Sequence, residues 1–358
     1  MKAVRLLLVT VAVVFVVSLG AYIRRQQSTI RQQRTEGFAI SGNPATAPVF
    51  SQKVLAVGAL FLTYDSSEKD SALWVVHPAA MFSPYSAESL VQWKDPGRVV
   101  WSRSGRDNAD LLIEFAPQTN HRIAIIRVKC TEKSCRTTSQ ERGLPPDLAL
   151  YVNDDDAVLL AGESSFTIYS SIADFINSKG DAIPRMSART GDELAATSRD
   201  TTLILSNPRA WSGELVDGGS HTRVQLKSET GDTPSALAVS GGLQLVADGG
   251  GHTRLWDCPA SVLKGSGVCS VYTAPAGFPL AGLTSLTDDE CGIAIHRDGA
   301  VWVVRRNART ESIVAASGIA RCNAGEIVVY RDRRIQFLIF TSQAVSAERR
   351  TMSATALR

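Results

Sequence analysis

The segment from residue 235 to residue 258 has the sequence Ser235-Ala-Leu-Ala-Val-Ser-Gly-Gly-Leu-Gln-Leu-Val-Ala-Asp-Gly-Gly-Gly-His-Thr-Arg-Leu-Trp-Asp-Cys258. Three short apolar runs are separated by two glycine-containing turns, a pattern typical of three antiparallel strands. A sheet of three strands has an apolar face that it cannot bury alone. We therefore expect the rest of the chain to supply further sheets that cover this face.

The same unit recurs along the chain. Seven pairs of apolar runs follow one another, and a short polar turn separates the two runs of each pair. The pairs are Gly58–Tyr64 with Ala72–Val76, Asp110–Phe115 with Arg122–Val128, Ala157–Ala161 with Phe166–Tyr169, Thr202–Ser206 with Gly213–Val216, Leu243–Ala247 with His252–Trp256, Gly292–His296 with Ala300–Val304, and Glu326–Tyr330 with Arg334–Phe340. We interpret them as the second and third strands of seven groups.

Most of the third strands carry a bulky aromatic residue at a similar place. These residues are Trp74, Tyr169, Trp256, Trp302 and Phe337. Their spacing corresponds to an average of about 44 positions per group, which is within the range of a four-stranded repeat. An aromatic side chain at this place suits packing at the apolar interface between neighbouring sheets.

The end of one third strand, Leu255-Trp256-Asp257, resembles the Trp-Asp end of a WD40 repeat, and Asp298-Gly299 before Trp302 is similar to it. The chain thus resembles WD40-like β-propellers over residues 51–345. The resemblance implies an all-β fold, a seven-bladed β-propeller of four-stranded blades. It also implies that the ring closes by strand pairing between the two ends, with Pro48–Lys53 beside Arg334–Phe340.

The amino-terminal part of the chain differs from the rest. The segment from Leu6 to Ile23 is almost wholly apolar, and Lys2 and Arg5 precede it. Its length is short for a membrane-spanning helix and long for a signal-peptide core, so a retained transmembrane anchor is favoured and a cleaved signal peptide is the alternative. The predicted organisation is an anchor or signal peptide in 1–23, a flexible polar linker in 24–50, the propeller in 51–345 and a tail in 346–358.

The six cysteines suggest three disulfides. Two pairs, Cys130 with Cys135 and Cys258 with Cys269, each flank the turn that leads from a third to a fourth strand. Two strands that leave one turn lie close enough for a disulfide. Cys291 and Cys322 remain as the third pair, and free buried cysteines are the alternative for all six.

Two features of the sequence point to different compartments for the propeller: the charges that flank the apolar segment and the expected disulfides. Arginines after the apolar segment slightly favour a cytoplasmic body by the positive-inside rule. Disulfides persist in oxidising compartments, so the cysteines favour the periplasm, the secretory lumen or the extracellular space. We expect a single-pass membrane protein with an exported propeller, and a cleaved, exported protein is the second choice.

The chain carries no recognisable catalytic or metal-binding motif. The two similar stretches Asp217–Arg223 and Asp248–Arg254 could bind anions, but glycine-rich hairpin turns explain them more simply. The acidic runs Asn153–Asp156 and Thr287–Glu290 lack the spacing of a calcium loop. None of the five histidines lies in a known catalytic setting. We therefore predict no cofactor and no metal.

Turns between second and third strands should share one face of the ring. Candidate binding residues on that face are His121, Arg209, Trp211, His252, Arg297 and Arg331. An exposed Trp211 beside Arg209 would have the chemistry of a protein-binding hot spot, whereas burial of Trp211 between sheets is the alternative. The basic character of these residues favours an acidic surface on the partner.

These observations favour a membrane-anchored, non-catalytic propeller that acts as a protein-binding scaffold for a protein or peptide on the exported side of a membrane. The formal net charge is only +3 and no basic cluster is interleaved with aromatics, so nucleic acid is not expected. One alternative is a propeller-fold hydrolase or lyase, which a metal or a His–carboxylate pair at the mouth of the central channel would favour. Another is a scaffold that faces the cytosol.

Overall fold

Short strands make up almost all of the regular secondary structure in the described chain. The computed structural model describes residues 38–39, 50–58, 60–66, 69–77, 86–115, 121–131, 134–153, 155–228, 230–282, 284–289, 292–297, 300–305, 310–315, 318–322, 326–331, 334–339, 343–344 and 347–357. The strands are β1 (Phe38–Ala39), β2 (Phe50–Val57), β3 (Leu60–Ser66), β4 (Ser71–His77), β5 (Ser86–Trp93), β6 (Gly97–Ser104), β7 (Asn108–Phe115), β8 (Arg122–Cys130), β9 (Cys135–Gly143), β10 (Ala149–Val152), β11 (Val158–Ala161), β12 (Ser165–Tyr169), β13 (Asp181–Pro184), β14 (Leu194–Thr197), β15 (Thr201–Asn207), β16 (Ser212–Asp217), β17 (Ser220–Ser228), β18 (Thr233–Val239), β19 (Gly242–Gly249), β20 (His252–Pro259), β21 (Ser266–Thr273), β22 (Thr284–Asp289), β23 (Gly292–Arg297), β24 (Ala300–Arg305), β25 (Thr310–Ala315), β26 (Gly318–Cys322), β27 (Glu326–Arg331), β28 (Arg334–Ile339), β29 (Gln343–Ala344) and β30 (Glu348–Ala356).

Helical segments are few and short in this part of the chain. One α-helix, α1 (Ile172–Ile176), follows β12, and single 3-10 turns span Pro208–Ala210 and Ala260–Lys264. Among the described residues no helix has the length and apolarity needed to cross a bilayer. The expected anchor from Leu6 to Ile23 lies outside the described residues.

Consecutive strands form antiparallel meanders. In the described residues the first to sixth meanders are β2–β5, β6–β9, β10–β13, β14–β17, β18–β21 and β22–β25, and the seventh comprises β26–β28 with β1 on its outer edge. The predicted pairs of apolar runs fall on the second and third strands of these meanders. Strand β29 adds to the sixth meander, and β30 joins the fourth and fifth into one nine-stranded sheet.

Glycine turns join some of these strands because the turn geometry demands them. Gly250 and Gly251, with φ of 61° and 79°, connect β19 to β20. Gly218 and Gly219, with φ of 54° and 84°, connect β16 to β17 in the same way. Two successive positive φ values define the tight turn whose twist matches that of the flanking strands. Both glycine-rich stretches are therefore hairpin turns. One joins the third and fourth strands of the fourth meander, and the other joins the second and third strands of the fifth.

The meanders are arranged as a ring. The first strand of each meander contacts the first strand of its neighbour: β26 contacts β2, β2 contacts β6, and the series continues through β10, β14 and β18 to β22. Apolar cores lie between successive meanders, from the first and second to the fifth and sixth. Sheets that radiate from a ring of first strands and bury their faces against each other form a β-propeller. The all-β propeller expected from the sequence is confirmed.

Three of the third-strand aromatics, Tyr169, Trp256 and Trp302, lie in these cores. Trp74, Tyr169, Trp256 and Trp302 are all buried. Trp256 packs edge-on against Trp211 of the preceding meander, with ring centroids 6.5 Å apart. Trp302 lies in the core between the fifth and sixth meanders, 6.0 Å from Phe278. The side chain of Phe337 lies outside the described residues.

The ring closes differently from the expectation. Residues Phe38 and Ala39 pair with Ile335 and Arg334 of β28, so an earlier segment supplies the outer strand of the seventh meander. The expected closing segment, Pro48–Lys53, overlaps β2, which pairs with β3 as the first strand of the first meander. The prediction was wrong because the strand that begins at Phe50 continues through the apolar run Val54–Val57 and contacts β26 and β6 as an inner strand.

Two of the expected disulfides are present. Cys130 bonds to Cys135 with Cα atoms 4.0 Å apart, and Cys258 bonds to Cys269 with Cα atoms 4.3 Å apart. Each joins the end of a third strand to the fourth strand of its meander. The pairing of Cys291 with Cys322 stays a prediction, because Cys291 lies outside the described residues.

The segment expected to be a tail contains a strand. Strand β30 pairs with β21, with Glu348 opposite Val271 at one end and Ser353 opposite Ser266 at the other. It also pairs with β17, with Met352 opposite Ser228 at one end and Ala356 opposite Val224 at the other. Strand β30 therefore covers the outer edges of two neighbouring meanders at once.

Candidate functional site

One face of the ring brings two kinds of connection together. We call this face the rim, and define it by the described connections 144–148, 162–164, 185–193, 208–211, 230–232 and 250–251. Some join second to third strands, and others join one meander to the next. Buried polar clusters lie directly beneath the rim and tie the two kinds of connection to each other.

The largest cluster is centred on Arg297, at the end of β23. Its guanidinium donates to both carboxylate oxygens of Asp248 (2.9 Å each), Thr284 Oγ1 (2.8 Å), Thr253 Oγ1 (3.0 Å), Ser235 Oγ (3.0 Å) and the carbonyl of Pro279 (3.1 Å). The Arg297 side chain is 1% exposed. The cluster thus fixes the β19–β20 hairpin against the sixth meander.

The Asp248 carboxylate is held in its charged form. Burial raises its pKa, but hydrogen bonds from Arg297, Thr253 and Ser235 outweigh burial, so that the pKa lies below its usual range. A buried charge that is paired and fully hydrogen-bonded is tolerated in a protein core. Arg297 and Asp248 therefore form a structural ion pair.

A second cluster links the fourth and fifth meanders. Trp211 Nε1 donates to the carbonyl of Asp232 at 2.7 Å, and Arg254 donates to the Asp232 carboxylate at 2.7 Å. Trp211 is 7% exposed and adopts φ of 55° after the 3-10 turn. Of the two alternatives left open by the sequence, burial between sheets is the one that the structure shows.

Two further clusters repeat the arrangement. His121 donates its Nδ1–H to the carbonyl of Pro145 (2.7 Å), and its Nε2 is hydrogen-bonded to Glu114 Oε1 (2.9 Å). Arg185 pairs with Glu193 within one connection and donates to the carbonyl of Gly162 at 2.9 Å. The rim from the second to the sixth meander is therefore held by charged or polar groups that are buried or partly buried.

The predicted binding residues separate into two sets. Arg209 and His252 are exposed on the rim of the fourth and fifth meanders. His121, Trp211 and Arg297 are buried beneath it, so the expectation that they present their side chains to a partner is wrong. Each is buried because a neighbouring connection supplies its hydrogen-bond partner. Arg331 lies in β27, and its side chain is outside the described residues.

Two His–carboxylate pairs occur among the described residues: the buried His121–Glu114 pair beneath the rim, and a second pair on the outer strands of the fourth meander. His221 Nε2 lies 2.9 Å from Glu214 Oε2, between the third and fourth strands of the fourth meander. Glu214 also accepts the backbone N–H groups of Met186 and Ser187, at 2.8 and 2.7 Å. His221 borders an open lateral cleft of about 540 Å³ with Arg223 and Leu357. The His221–Glu214 pair supports the connection at 185–193. It lies on outer strands and not at the mouth of the central channel, where such a pair would have favoured an enzyme.

The described residues of the acidic turn, Asn153, Asp155 and Asp156, have ordinary turn chemistry. Asn153 Oδ1 accepts the N–H groups of Asp155 and Ala157, at 3.0 and 3.1 Å. Asp156 pairs with Arg103 at 3.0 Å. Within the part of the chain that the structure describes, no group of three His, Cys, Asp or Glu side chains could hold a metal ion.

These features define a β-propeller of antiparallel meanders whose rim connections are held by polar clusters. The chain is similar to solved propellers: Sqt1 from Chaetomium thermophilum (11% identity, 85% of each chain covered, TM-score 0.46) and Hsv2 from Kluyveromyces lactis (9% identity, 83% of this chain and 99% of that chain, TM-score 0.43). It is also similar to the WD40 domain of Toxoplasma gondii coronin (9% identity, 90% and 85% covered, TM-score 0.36). No protein-family model and no curated protein matches the chain. At such low identity and TM-scores, the likeness carries no information on partners or chemistry.

Sequence reasoning missed most of the polar clusters. Arg254 and Asp248 lie within one of the glycine-rich stretches, where their repetition was visible but their partners were not. Arg185, Glu193 and Asp232 lie in connections whose polar composition is that of any surface loop. Only the pairing of distant connections in the folded ring identifies them.

Proposed function

We propose that the chain is a single-pass membrane protein whose seven-bladed, non-catalytic propeller, with one blade per meander, binds a protein or peptide on the exported side of a membrane. The observation that carries this proposal is the rim, where buried polar clusters hold the connections of successive blades in one arrangement. A surface whose connections are already ordered loses little conformational entropy on binding, which favours affinity. Rigid scaffolds that display short connections are common binding platforms.

The disulfides support the exported location. Both described disulfides close short loops between neighbouring strands, and such bonds persist in oxidising compartments. The apolar segment from Leu6 to Ile23 is the proposed anchor.

The exposed residues of the rim suggest where the partner contacts the ring. Arg209 and His252 lie on neighbouring blades, with the buried Trp211 and the partly buried Arg254 beneath them. Their positive or titratable side chains suit an acidic patch on the partner. We propose these two residues as contacts, with the buried clusters as their support.

The test is affinity capture of partners by the intact, anchored protein after cross-linking in cells. The Arg209→Glu, His252→Glu double variant should lose a captured partner that the wild type retains. A matched variant, Arg106→Glu with Lys129→Glu, changes the same number of exposed residues at the opposite ends of strands and should retain it. Identical partners for all three proteins would contradict the proposed rim contact.

Cysteine alkylation in the same cells tests the proposed compartment. Alkylation before reduction should leave Cys130, Cys135, Cys258 and Cys269 unmodified, because all four are oxidised in the exported protein. Modified thiols at these positions in freshly lysed cells would place the propeller in a reducing compartment instead.

A further inference from the structure

Strand β30 occupies a groove between two blades. Its first half, Glu348–Ser353, pairs with β21, and its second half, Met352–Ala356, pairs with β17. Both pairings are antiparallel. One extended segment thus completes two sheets in succession, and it overlaps both neighbours only at Met352 and Ser353.

The segment is held mainly through its backbone. Met352 is fully buried, whereas the other described side chains of β30 are half-buried or exposed. Outside the ladder, the N–H of Ala354 donates to the carbonyl of Gly265 at 2.7 Å, and the N–H of Leu357 donates to the carbonyl of Arg223 at 2.9 Å. Contacts of this kind are open to any extended peptide, because every non-proline residue carries the same backbone groups.

The groove itself is built by residues distant in sequence from β30. The core beneath it includes Leu226 of β17, Val271 of β21 and Val262 of the 3-10 turn. The Cys258–Cys269 disulfide stiffens this core, and Met352 Sδ lies 3.9 Å from Cys258 Sγ. Gly267, opposite Met352, leaves no room for a larger residue, since a Cβ there would lie 2.8 Å from Val262 Cγ2. The receiving side is therefore shaped and rigid, whereas the occupant contributes one buried side chain.

We propose that the groove between β17 and β21 is a β-sheet completion site that takes an extended peptide segment of a partner protein, with β30 as its resident occupant. The partner segment carries one long, unbranched apolar side chain at the position of Met352, small residues near the positions of Ser353 and Ala354, and no proline. This inference rests on the proposed binding function and names a second, lateral docking site for it.

The test uses the full chain with a protease recognition sequence inserted between residues 345 and 346. The folded protein is cleaved without denaturant and mixed with a fluorescently labelled synthetic peptide of residues 346–358. We expect the resident segment to exchange for the labelled peptide, measured as a rise in fluorescence anisotropy. The uncleaved chain should bind the same peptide much more weakly, because its tethered β30 competes at high effective concentration.

Two variant peptides show whether binding uses the groove. A labelled Met352→Asp peptide should bind at least about 100-fold more weakly, since it would bury an unpaired charge. A labelled Thr355→Asp peptide, changed at an exposed position, should bind within about threefold of the wild-type peptide.

Three results would overturn the inference. The cleaved, folded protein could retain its original segment and take up no label, the wild-type and Met352→Asp peptides could bind equally, or cleavage could abolish the near-ultraviolet circular dichroism of the ring. Each would show that β30 is a fixed part of the core. If the peptide exchanges but the Arg209→Glu, His252→Glu variant keeps all its partners, the groove stands as a docking site and the rim does not. If the peptide does not exchange but the rim variant loses a partner, the proposed function stands without this groove.

Discussion

The second and fifth meanders differ at their outer edges, although a disulfide lies at the same place in both. Strand β9 pairs only with β8 in the described part of the chain, and all its side chains are exposed or half-buried. Strand β21 buries Cys269 and Val271, and β30 covers its edge. A polar, charged edge strand is stable in water and resists pairing, whereas an edge with an apolar face needs a cover.

The contrast shows that edge protection in this ring is set by the composition of the fourth strand. Arg136, Glu141 and Arg142 protect β9 by charge. The apolar residues of β17 and β21, among them Leu226 and Val271, are protected by an added strand. The stability of the fifth meander should therefore depend on β30, and that of the second should not depend on any segment distant in sequence.

The largest expected effect is from removal of the Met352 side chain. Met352→Ala should lower the free energy of unfolding by about 2–5 kcal/mol, because it leaves a cavity in the core beneath β30. The matched change Thr138→Ala on the exposed edge of β9 should shift it by no more than about 0.5 kcal/mol. Urea unfolding of the two variants measures both values, and equal effects would remove the distinction between the edges.

The disulfides should rank next. Loop closure predicts a loss of about 2.8 kcal/mol for the Cys258→Ala, Cys269→Ala variant and about 2.2 kcal/mol for the Cys130→Ala, Cys135→Ala variant, since the first bond closes the longer loop. Burial of the first disulfide against Met352 adds to that difference. Thermal unfolding of the two double variants tests the order. A larger loss at Cys130–Cys135 would mean that the exposed edge depends on its disulfide more than the covered one.

The smallest expected effect is the contribution of Asp248, at the rim of the fifth meander, to the pH dependence of the free energy of unfolding. Because Arg297 and its neighbours lower the folded-state pKa of Asp248, this carboxylate stabilises the fold above its unfolded pKa of about 3.9. That contribution is lost as the pH falls through the folded value. The difference in unfolding free energy between wild type and Asp248→Asn should therefore be constant from pH 7 to about pH 5 and narrow below about pH 4.

Denaturant titrations at several pH values measure this difference. Asp110→Asn, on the second meander, serves as the control for loss of one negative charge. A difference between wild type and Asp248→Asn that persisted to pH 3 would contradict the stabilising role of the charged form.

Much of the fold was predictable because its signals are local. Alternating apolar residues and tight turns such as Gly250-Gly251 specify each hairpin within about 20 residues, and the position of Trp256 or Trp302 marks the packed face. The two described disulfides were predictable for the same reason, since each joins the third strand of a meander to its fourth.

The parts that could not be predicted depend on distant residues. Strand β30 has the composition of a polar tail, and only its partners in two separate meanders make it a strand. The closing strand was misplaced because Phe38–Ala39 is two residues long and its partner lies near residue 335. Trp211 and Arg297 were candidates for binding because their sequence surroundings are turn-like, and only the folded ring supplies Asp232 and Asp248 as partners.

The position of β30 also has a consequence for how the molecule is made. The fourth and fifth meanders are synthesised before β30, and their outer edges stay open until residues 348–356 have been translated and, in an exported protein, translocated. The long separation in sequence between β30 and its partners makes this a late and slow step in folding. During that interval the two open edges are the part of the chain most in need of a chaperone.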